Sequence, residues 1–282
     1  MFNKKRDMVD GDFFENISDF SFGDIYTKQY QPHELNIKNL RNNIKRTPIL
    51  FTNTEKLPLL LKHLYSINEE VIIISHNSDV NINDDSLIDM IPSNVLRIWC
   101  QNYNGSINDI IKPIPIGLER KRWFPSEKKQ DIILEYSEMV INKEYLVYMN
   151  FNIITNNIRI DWKEYFQGKD YVYTEMLGNG YNFKNYINNI KKSLFTLSPE
   201  GNGIDCHRNW ECLEVGSIPI IKRNNFTESI YSDMPVLLID DIKDVNEKML
   251  NDYLDNEYKN RSLDKLSCEY WKKEIYKDVK EY

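Results

Sequence analysis

No stretch of the chain approaches the roughly 18 consecutive apolar residues of a membrane-spanning helix, so no membrane span is expected. The opening residues, MFNKKRDMVDGDFF, carry basic residues with no apolar segment behind them and do not read as a secretory signal. Cysteine is scarce. The four (Cys100, Cys206, Cys212 and Cys268) have neither zinc-ligand spacing nor the density of a disulfide framework. Reduced thiols and a cytoplasmic setting are therefore expected. Positive charge is in deficit as well: 36 Lys and Arg against 43 Asp and Glu leave a formal charge of −7. That balance argues against a protein held to nucleic acid by a broad basic face. Internal repeats and low-complexity tracts are absent too.

What is present suits two modest α/β domains. The 282 residues are 41% hydrophobic and 12% aromatic, enough for two cores. The densest information lies in Phe195–Ile221, FTLSPEGNGIDCHRNWECLEVGSIPII. An apolar run is followed by a glycine loop (Gly201, Gly203), a helix opener (Asp205), a polar helix face and a second apolar run after Gly216. This is the order of a βαβ unit in a nucleotide-binding domain. Glycines permit positive φ and bring backbone amides close to an anion. Asp205 is expected to cap a helix whose positive end points back at the loop. His207, Arg208 and Glu211 then share one helix face by their spacing. The first two suit a diphosphate, and the third suits ribose hydroxyls. Read alone, Arg208 and Glu211 also fit an ordinary surface ion pair, and the glycines a plain turn.

Across SPEGNGIDCHRNWECLEVGSIPII the chain resembles the donor-binding signature of exostosin-like glycosyltransferases. The resemblance is specific from about Phe195 through Asp241 and general elsewhere. It implies an α/β protein of GT-B fold, with two facing Rossmann-like domains of parallel sheets and a C-terminal crossing helix. It places Ser198, Gly201, Asn202, Gly203, Asp205, His207 and Arg208 on the diphosphate and Glu211 on the ribose. It also asks for a basic residue from the region of Arg159, the one candidate there by position. The implied partners are a UDP-sugar donor and an oligosaccharide or glycan acceptor, with no further cofactor. In size and in having no membrane anchor the chain is similar to soluble transferases of large algal viruses, which implies UDP-xylose. GDP-fucose is the alternative donor. A glycan- or nucleotide-binding module without catalysis is the alternative class.

The remaining chain fits around that signature. Residues 1–45 read as a loop-rich segment whose aromatics pack on the first domain. Strands are expected at Pro48–Thr52, Val71–Ser75 and Val95–Cys100, with a helix over Thr54–Tyr65 carrying Leu57, Leu60, Leu61 and Leu64 on one face. The domains are divided as 1–130, 131–262 and a C-terminal helix, 263–282, returning to the first. In the second, strands are expected at Tyr145–Asn150, Asp170–Thr174 and Pro235–Ile239, and helices at Asp161–Gln167 and Phe183–Lys192.

Glycosyl transfer needs a stabilised leaving diphosphate and a base for the acceptor hydroxyl. Arg208, His207, Arg159 and the helix start supply the first, so no metal is expected. For the base, ligands in open α/β sheets lie beyond the carboxyl ends of strands. Asp79, in SHNSD after Val71–Ser75, is the first choice and His76 the second, with a turn or cap role as the plain reading of each. A base opposite the leaving group implies inversion at the anomeric carbon.

Overall fold

The computed structural model describes residues 7–22, 35–83, 85–106, 108–122, 126–175, 182–258 and 261–282. It divides into two compact units, Met1–Ile116 with Ser267–Tyr282, and Gly117–Leu266. Each is built on a five-stranded parallel sheet, the pair of α/β units that the sequence led us to expect.

In the first unit β1 (Phe20–Phe22), β2 (Ile49–Asn53), β3 (Val71–His76), β4 (Val95–Gln101) and β5 (Ile111–Ile114) lie side by side in chain order. β2 and β3 are buried along their whole length, which is why their sequences are apolar without alternation. Strands added in order with right-handed crossovers send every connection over the same face. The four leucines of α3 (Leu57–Leu64) join Leu50, Val71, Ile73 and Ile98 in one core, with Ile37 of α2 (Ile37–Ile44). Beside β3 sits α1 (Gly11–Asn16), whose Phe14 ring is 4.9 Å from His76 and 6.4 Å from Trp271 of the last helix, α10 (Cys268–Tyr276). Beyond α10, Asp278 takes two hydrogen bonds from Arg97 and one from Trp99, and Lys280 accepts from the Thr47 backbone.

The N-terminal segment is more regular than its sequence reads. Asp10 caps α1 by accepting from Phe13 N at 2.8 Å, and β1 pairs in parallel with β2. Six- and three-residue elements are too short to show a period, so composition alone reads them as loop. The boundaries also differ from those read in the sequence: the second unit starts at Gly117 and ends at Leu266, where the sequence reading has 131 and 262. Within the second unit α4 (Lys129–Glu138) packs on two further helices.

The second unit runs β6 (Tyr145–Met149), α5 (Ile158–Phe166), β7 (Val172–Thr174), α6 (Phe183–Lys192), β8 (Ser193–Leu197), α7 (His207–Val215), β9 (Ile218–Lys222), α8 (Asn225–Tyr231), β10 (Leu237–Ile239) and α9 (Glu247–Asn256). Sheet order is β10-β9-β8-β6-β7. Val147, Met149, Phe195, Leu197, Ile218 and Ile220 form its core with Trp162 and Phe166 of α5 and Leu250 and Tyr253 of α9. Gly216 ends α7 at φ 79°, a left-handed position suited to glycine, and Ser217 N returns to Cys212 O at 2.8 Å. The strand order reverses between β6 and β8. In open α/β sheets the crevice beyond the strand ends at such a reversal is where ligands bind. Among the described residues no helix is long and apolar enough to cross a membrane.

Candidate functional site

The reversal point fixes where to look: the residues that follow β6 and those that follow β8. After β8 come Ser198 and the loop Pro199–Gly203, and α5 grips that loop from beneath. Arg159, 6% exposed, donates from Nε to Glu200 O (2.8 Å), from Nη2 to Pro199 O (3.3 Å) and from Nη1 to Asn152 O (3.0 Å). Asn156 Nδ2 donates to Gly201 O at 2.8 Å. Three successive carbonyls are thus turned toward α5. Because the peptide is planar and trans, the N–H groups of residues 200–202 face the other way. That of Gly201 closes the loop on Gly203 O at 3.1 Å.

The glycine at 201 is needed for room. Its φ lies outside the left-handed region that glycine permits; among the described glycines only Gly117, Gly168 and Gly216 are there. A Cβ on residue 201 would stand 3.3 Å from Arg159 Nη2 and 3.5 Å from Cys206 Sγ. Asn202 is exposed at the tip of the loop and Gly203 is buried.

Asp205 also differs from expectation. Cys206 is the N-cap residue of α7, and it makes no side-chain capping bond. Asp205 is a buried anchor instead. Its Oδ1 accepts from Cys206 N (2.9 Å), Asn209 Nδ2 (3.0 Å) and Tyr231 Oη (2.5 Å), and its Oδ2 from Trp210 Nε1 (3.0 Å). Buried donors of α7 and α8 converge on it, and only a fixed acceptor can satisfy them together. Ser198, 2% exposed, donates to Asn209 Oδ1 at 2.6 Å, which ties the end of β8 to the same knot.

Arg208 and Glu211 follow on α7. Arg208 is half-buried, with its guanidinium 5.9 Å from the centre of the Phe151 ring and 6.0 Å from that of Tyr186. It forms no hydrogen bond or ion pair among the described residues, and its Nε is buried without a partner. Phe151, two residues past β6, lies 5.9 Å from the Arg159 guanidinium as well. Two cations therefore share one aromatic ring. Burial first, then the charge of Arg208, lower the pKa of Arg159 from its ordinary value. Burial opposes the charge of Arg208 too, but Tyr186, Cys206, Glu211 and Cys212 outweigh it and raise its pKa. An unpartnered guanidinium beside a second one is the electrostatic preparation for an anion.

Glu211 is 6% exposed and accepts from the Tyr186 hydroxyl at 2.8 Å. Burial raises its pKa above the usual carboxylate value; the Tyr186 hydrogen bond, His207 and Arg208 act against that rise. His207, the first residue of α7, contacts Gly117 O through Nδ1 at 2.8 Å. The structure thus brings Arg159, Ser198, Gly201, Asn202, Gly203, Asp205, His207, Arg208 and Glu211 into one region. Arg159, Ser198 and Asp205 hold the loop and the end of β8, Glu211 accepts from Tyr186, and Arg208 bonds to none of the described residues.

The two residues chosen as base lie in the first unit. His76 ends β3 and is 1% exposed. Its Nδ1 lies 2.7 Å from Asn77 N and 2.9 Å from Asn77 Oδ1, and its Nε2 lies 2.9 Å from Pro115 O. Both nitrogens are committed within the fold, so the ring acts as a strut. Asp79 is exposed, three residues past the end of β3. Asp240 and Asp241 follow β10; Asp240 pairs with Arg223 at 3.2 Å, and Asp241 accepts from Lys243 N at 2.9 Å. Among the described residues no group of three or more His, Cys, Asp or Glu side chains is placed to hold a metal ion.

Sequence reasoning missed Tyr186, Phe151 and Asn156. Tyr186 reads as part of the apolar face of α6, and Phe151 as a loop aromatic; their link to α7 exists only through the sheet reversal.

Residues 169–245 match the family model described as the RXYLT1 C-terminal domain. The match spans the loop, α7 and Glu211. Compared with curated proteins, the chain has no match. Among solved structures it is similar to the UDP-forming α,α-trehalose-phosphate synthase of Burkholderia xenovorans, at 8% identity and a TM-score of 0.39, over 82% of this chain and 70% of that one.

Proposed function

We propose that the chain is a glycosyltransferase of GT-B type that holds a nucleoside-diphosphate sugar beyond the ends of β6 and β8 and transfers the sugar to a glycan hydroxyl. The observation that carries this reading is Arg208, half-buried between two aromatic rings with no hydrogen-bond or ion-pair partner among the described residues. A purely structural arginine in such a place is expected to have an acceptor. A diphosphate supplies one, and Glu211 stands one helical turn further on for the ribose hydroxyls.

In the reaction the acceptor oxygen bonds to the anomeric carbon as the bond from that carbon to the phosphate oxygen breaks. The electron pair leaves with the nucleoside diphosphate, and the acceptor proton goes to a base. Arg208 and the amino end of α7 stabilise the charge growing on the leaving group. Arg159 contributes by fixing the loop, with a share of the field. Asp79 is the proposed base, since the nitrogens of His76 are committed; a base opposite the leaving group makes the reaction inverting.

UDP-xylose is the proposed donor, supported by the name of the matched domain and by the resemblance to viral transferases. Thermal stability with UDP, GDP and CMP separates the donor classes, because a ligand that binds only the folded state raises Tm. UDP is expected to give the largest rise. Release of UDP from UDP-xylose without acceptor, with and without EDTA, then tests catalysis and the metal-free mechanism. No rise with any nucleotide overturns the assignment, and binding without turnover makes the chain a binding module.

A further inference from the structure

We infer that Tyr186 is the positioning residue of the nucleotide site, one side chain that orients both of its charged groups, the guanidinium of Arg208 and the carboxylate of Glu211. The inference rests on the proposed use of those two residues. Tyr186 is 5% exposed on α6, and α6 packs on α7. Its ring faces Arg208, 6.0 Å from ring centre to guanidinium carbon, and its hydroxyl donates to Glu211 Oε2 at 2.8 Å. The two targets are three residues apart on one helix and belong to different ends of the bound nucleotide. A phenol is the side chain that can serve both, since its face attracts a cation while its edge carries a donor.

Two consequences follow. Glu211 has one oxygen committed to Tyr186, so its carboxylate cannot rotate and the other oxygen keeps a fixed direction for accepting from the ligand. Arg208 gains attraction from the ring without losing any of its N–H donors, so the whole fork stays available for an anion. A carboxylate partner for Arg208 would have oriented it equally well while consuming those donors. Tyr186 is itself fixed from behind: its ring lies 6.5 Å from that of Tyr148 and 5.9 Å from that of Phe183.

The groups that reach Glu211 are Tyr186 from α6, Glu119 from the segment ahead of α4, and His207 and Arg208 from its own helix. Of these, Tyr186 donates a neutral hydrogen bond and favours the carboxylate. Its removal therefore raises the pH at which Glu211 takes a proton, an effect that a packing role would not produce.

The test uses the full chain, with UDP as the probe. Tyr186→Phe keeps the ring and removes the donor; Tyr186→Leu removes both. Calorimetric titration from about pH 4 to pH 8 should show Tyr186→Phe binding UDP about tenfold more weakly near the Glu211 midpoint, with that midpoint moved to higher pH. Tyr186→Leu should lose a further several-fold for UDP and much less for uridine, which has no diphosphate. Carboxyl NMR of Glu211 without ligand should show the same upward move, and this reading does not depend on what the site binds. An unmoved midpoint overturns the inference, whether affinity is unchanged or falls uniformly. Glu211→Gln supplies a second arm if Tyr186→Phe does not fold. Its UDP affinity should lose the part of the parent's pH dependence that Glu211 contributes, the remainder following the terminal phosphate of UDP, and an unchanged dependence overturns the inference. Failure of the parent to bind UDP, GDP or CMP would instead be failure of the proposed function, and the NMR arm would still decide the Tyr186–Glu211 relationship.

Discussion

A Cβ on Gly201 would stand 3.3 Å from Nη2 of Arg159, so the glycine makes room for the guanidinium that holds its own loop. The relationship separates two roles that the sequence alone blends. Arg159 donates to three backbone carbonyls and builds the loop, whereas Arg208 has no such duty.

Gly201→Ala should nudge the Arg159 fork without unpairing it and with little backbone strain, since residue 201 is not in the left-handed region. Affinity for UDP should fall about tenfold while stability to urea changes by about 1 kcal/mol or less. Arg159→Lys keeps the charge and loses the fork, leaving buried carbonyls unpaired. Its cost should be about 2–3 kcal/mol in the same unfolding measurement.

Asp205→Asn places an amide donor where four donors converge. At least one of Asn209, Trp210 and Tyr231 must lose its acceptor. Unfolding in urea should show a loss of about 2–4 kcal/mol, with the near-ultraviolet signal of Trp210 changed. A variant as stable as the parent would remove Asp205 from the anchor role.

Asp278 takes hydrogen bonds from Arg97 Nε (3.1 Å), Arg97 Nη2 (2.9 Å) and Trp99 Nε1 (3.0 Å), fastening the end of the chain to β4. Asp278→Ala should cost about 1.5–3 kcal/mol and should raise amide exchange in β4 of the first unit. Exchange in β8 and the affinity for UDP should stay at parent values.

Glu211 gives a pH dependence whose sign is set by burial. Its native pKa lies above that of the unfolded chain, chiefly through desolvation. Between the two values the native state holds more protons, so stability falls as pH rises through that window, and the full cost is present above the native value. Glu211→Gln, which keeps an acceptor for Tyr186, should therefore be more stable than the parent at neutral pH. Its advantage should vanish toward the unfolded value near pH 4. Paired urea unfolding at both pH values checks this, and an advantage that grows on acidification contradicts it.

How much of this the sequence discloses depends on range. The order of apolar run, glycine loop, helix and apolar run is local, and β8, α7 and β9 were legible from it. So were the four leucines of α3 and the unbroken apolar run of β3. The partners of Asp205 were not, because Tyr231 lies 26 residues away, on α8. The need for room at Gly201 was not separable from a need for positive φ, because a glycine chosen for space and one chosen for φ look the same in sequence. His76 carried the right chemistry for a base, but only its contact with Pro115, 39 residues on, discloses its structural use. Arg159 was found by position, and its carbonyl partners only by geometry. In each case the illegible part is a contact between elements, which no local pattern encodes.

The central claim is that Arg208, without a hydrogen-bond or ion-pair partner among the described residues, offers its donors to an anion. Arg208→Met, which fills similar space beside Phe151 and Tyr186, tests it in one experiment: Tm with and without saturating UDP. Without nucleotide the variant should melt near the parent temperature, because the buried Nε without a partner is removed together with the ring contacts that favour the cation. With UDP the parent should gain several degrees and the variant almost none. A variant that melts well below the parent yet keeps the full UDP-induced rise would contradict the account, since Arg208 would then support the fold and leave the nucleotide to other residues.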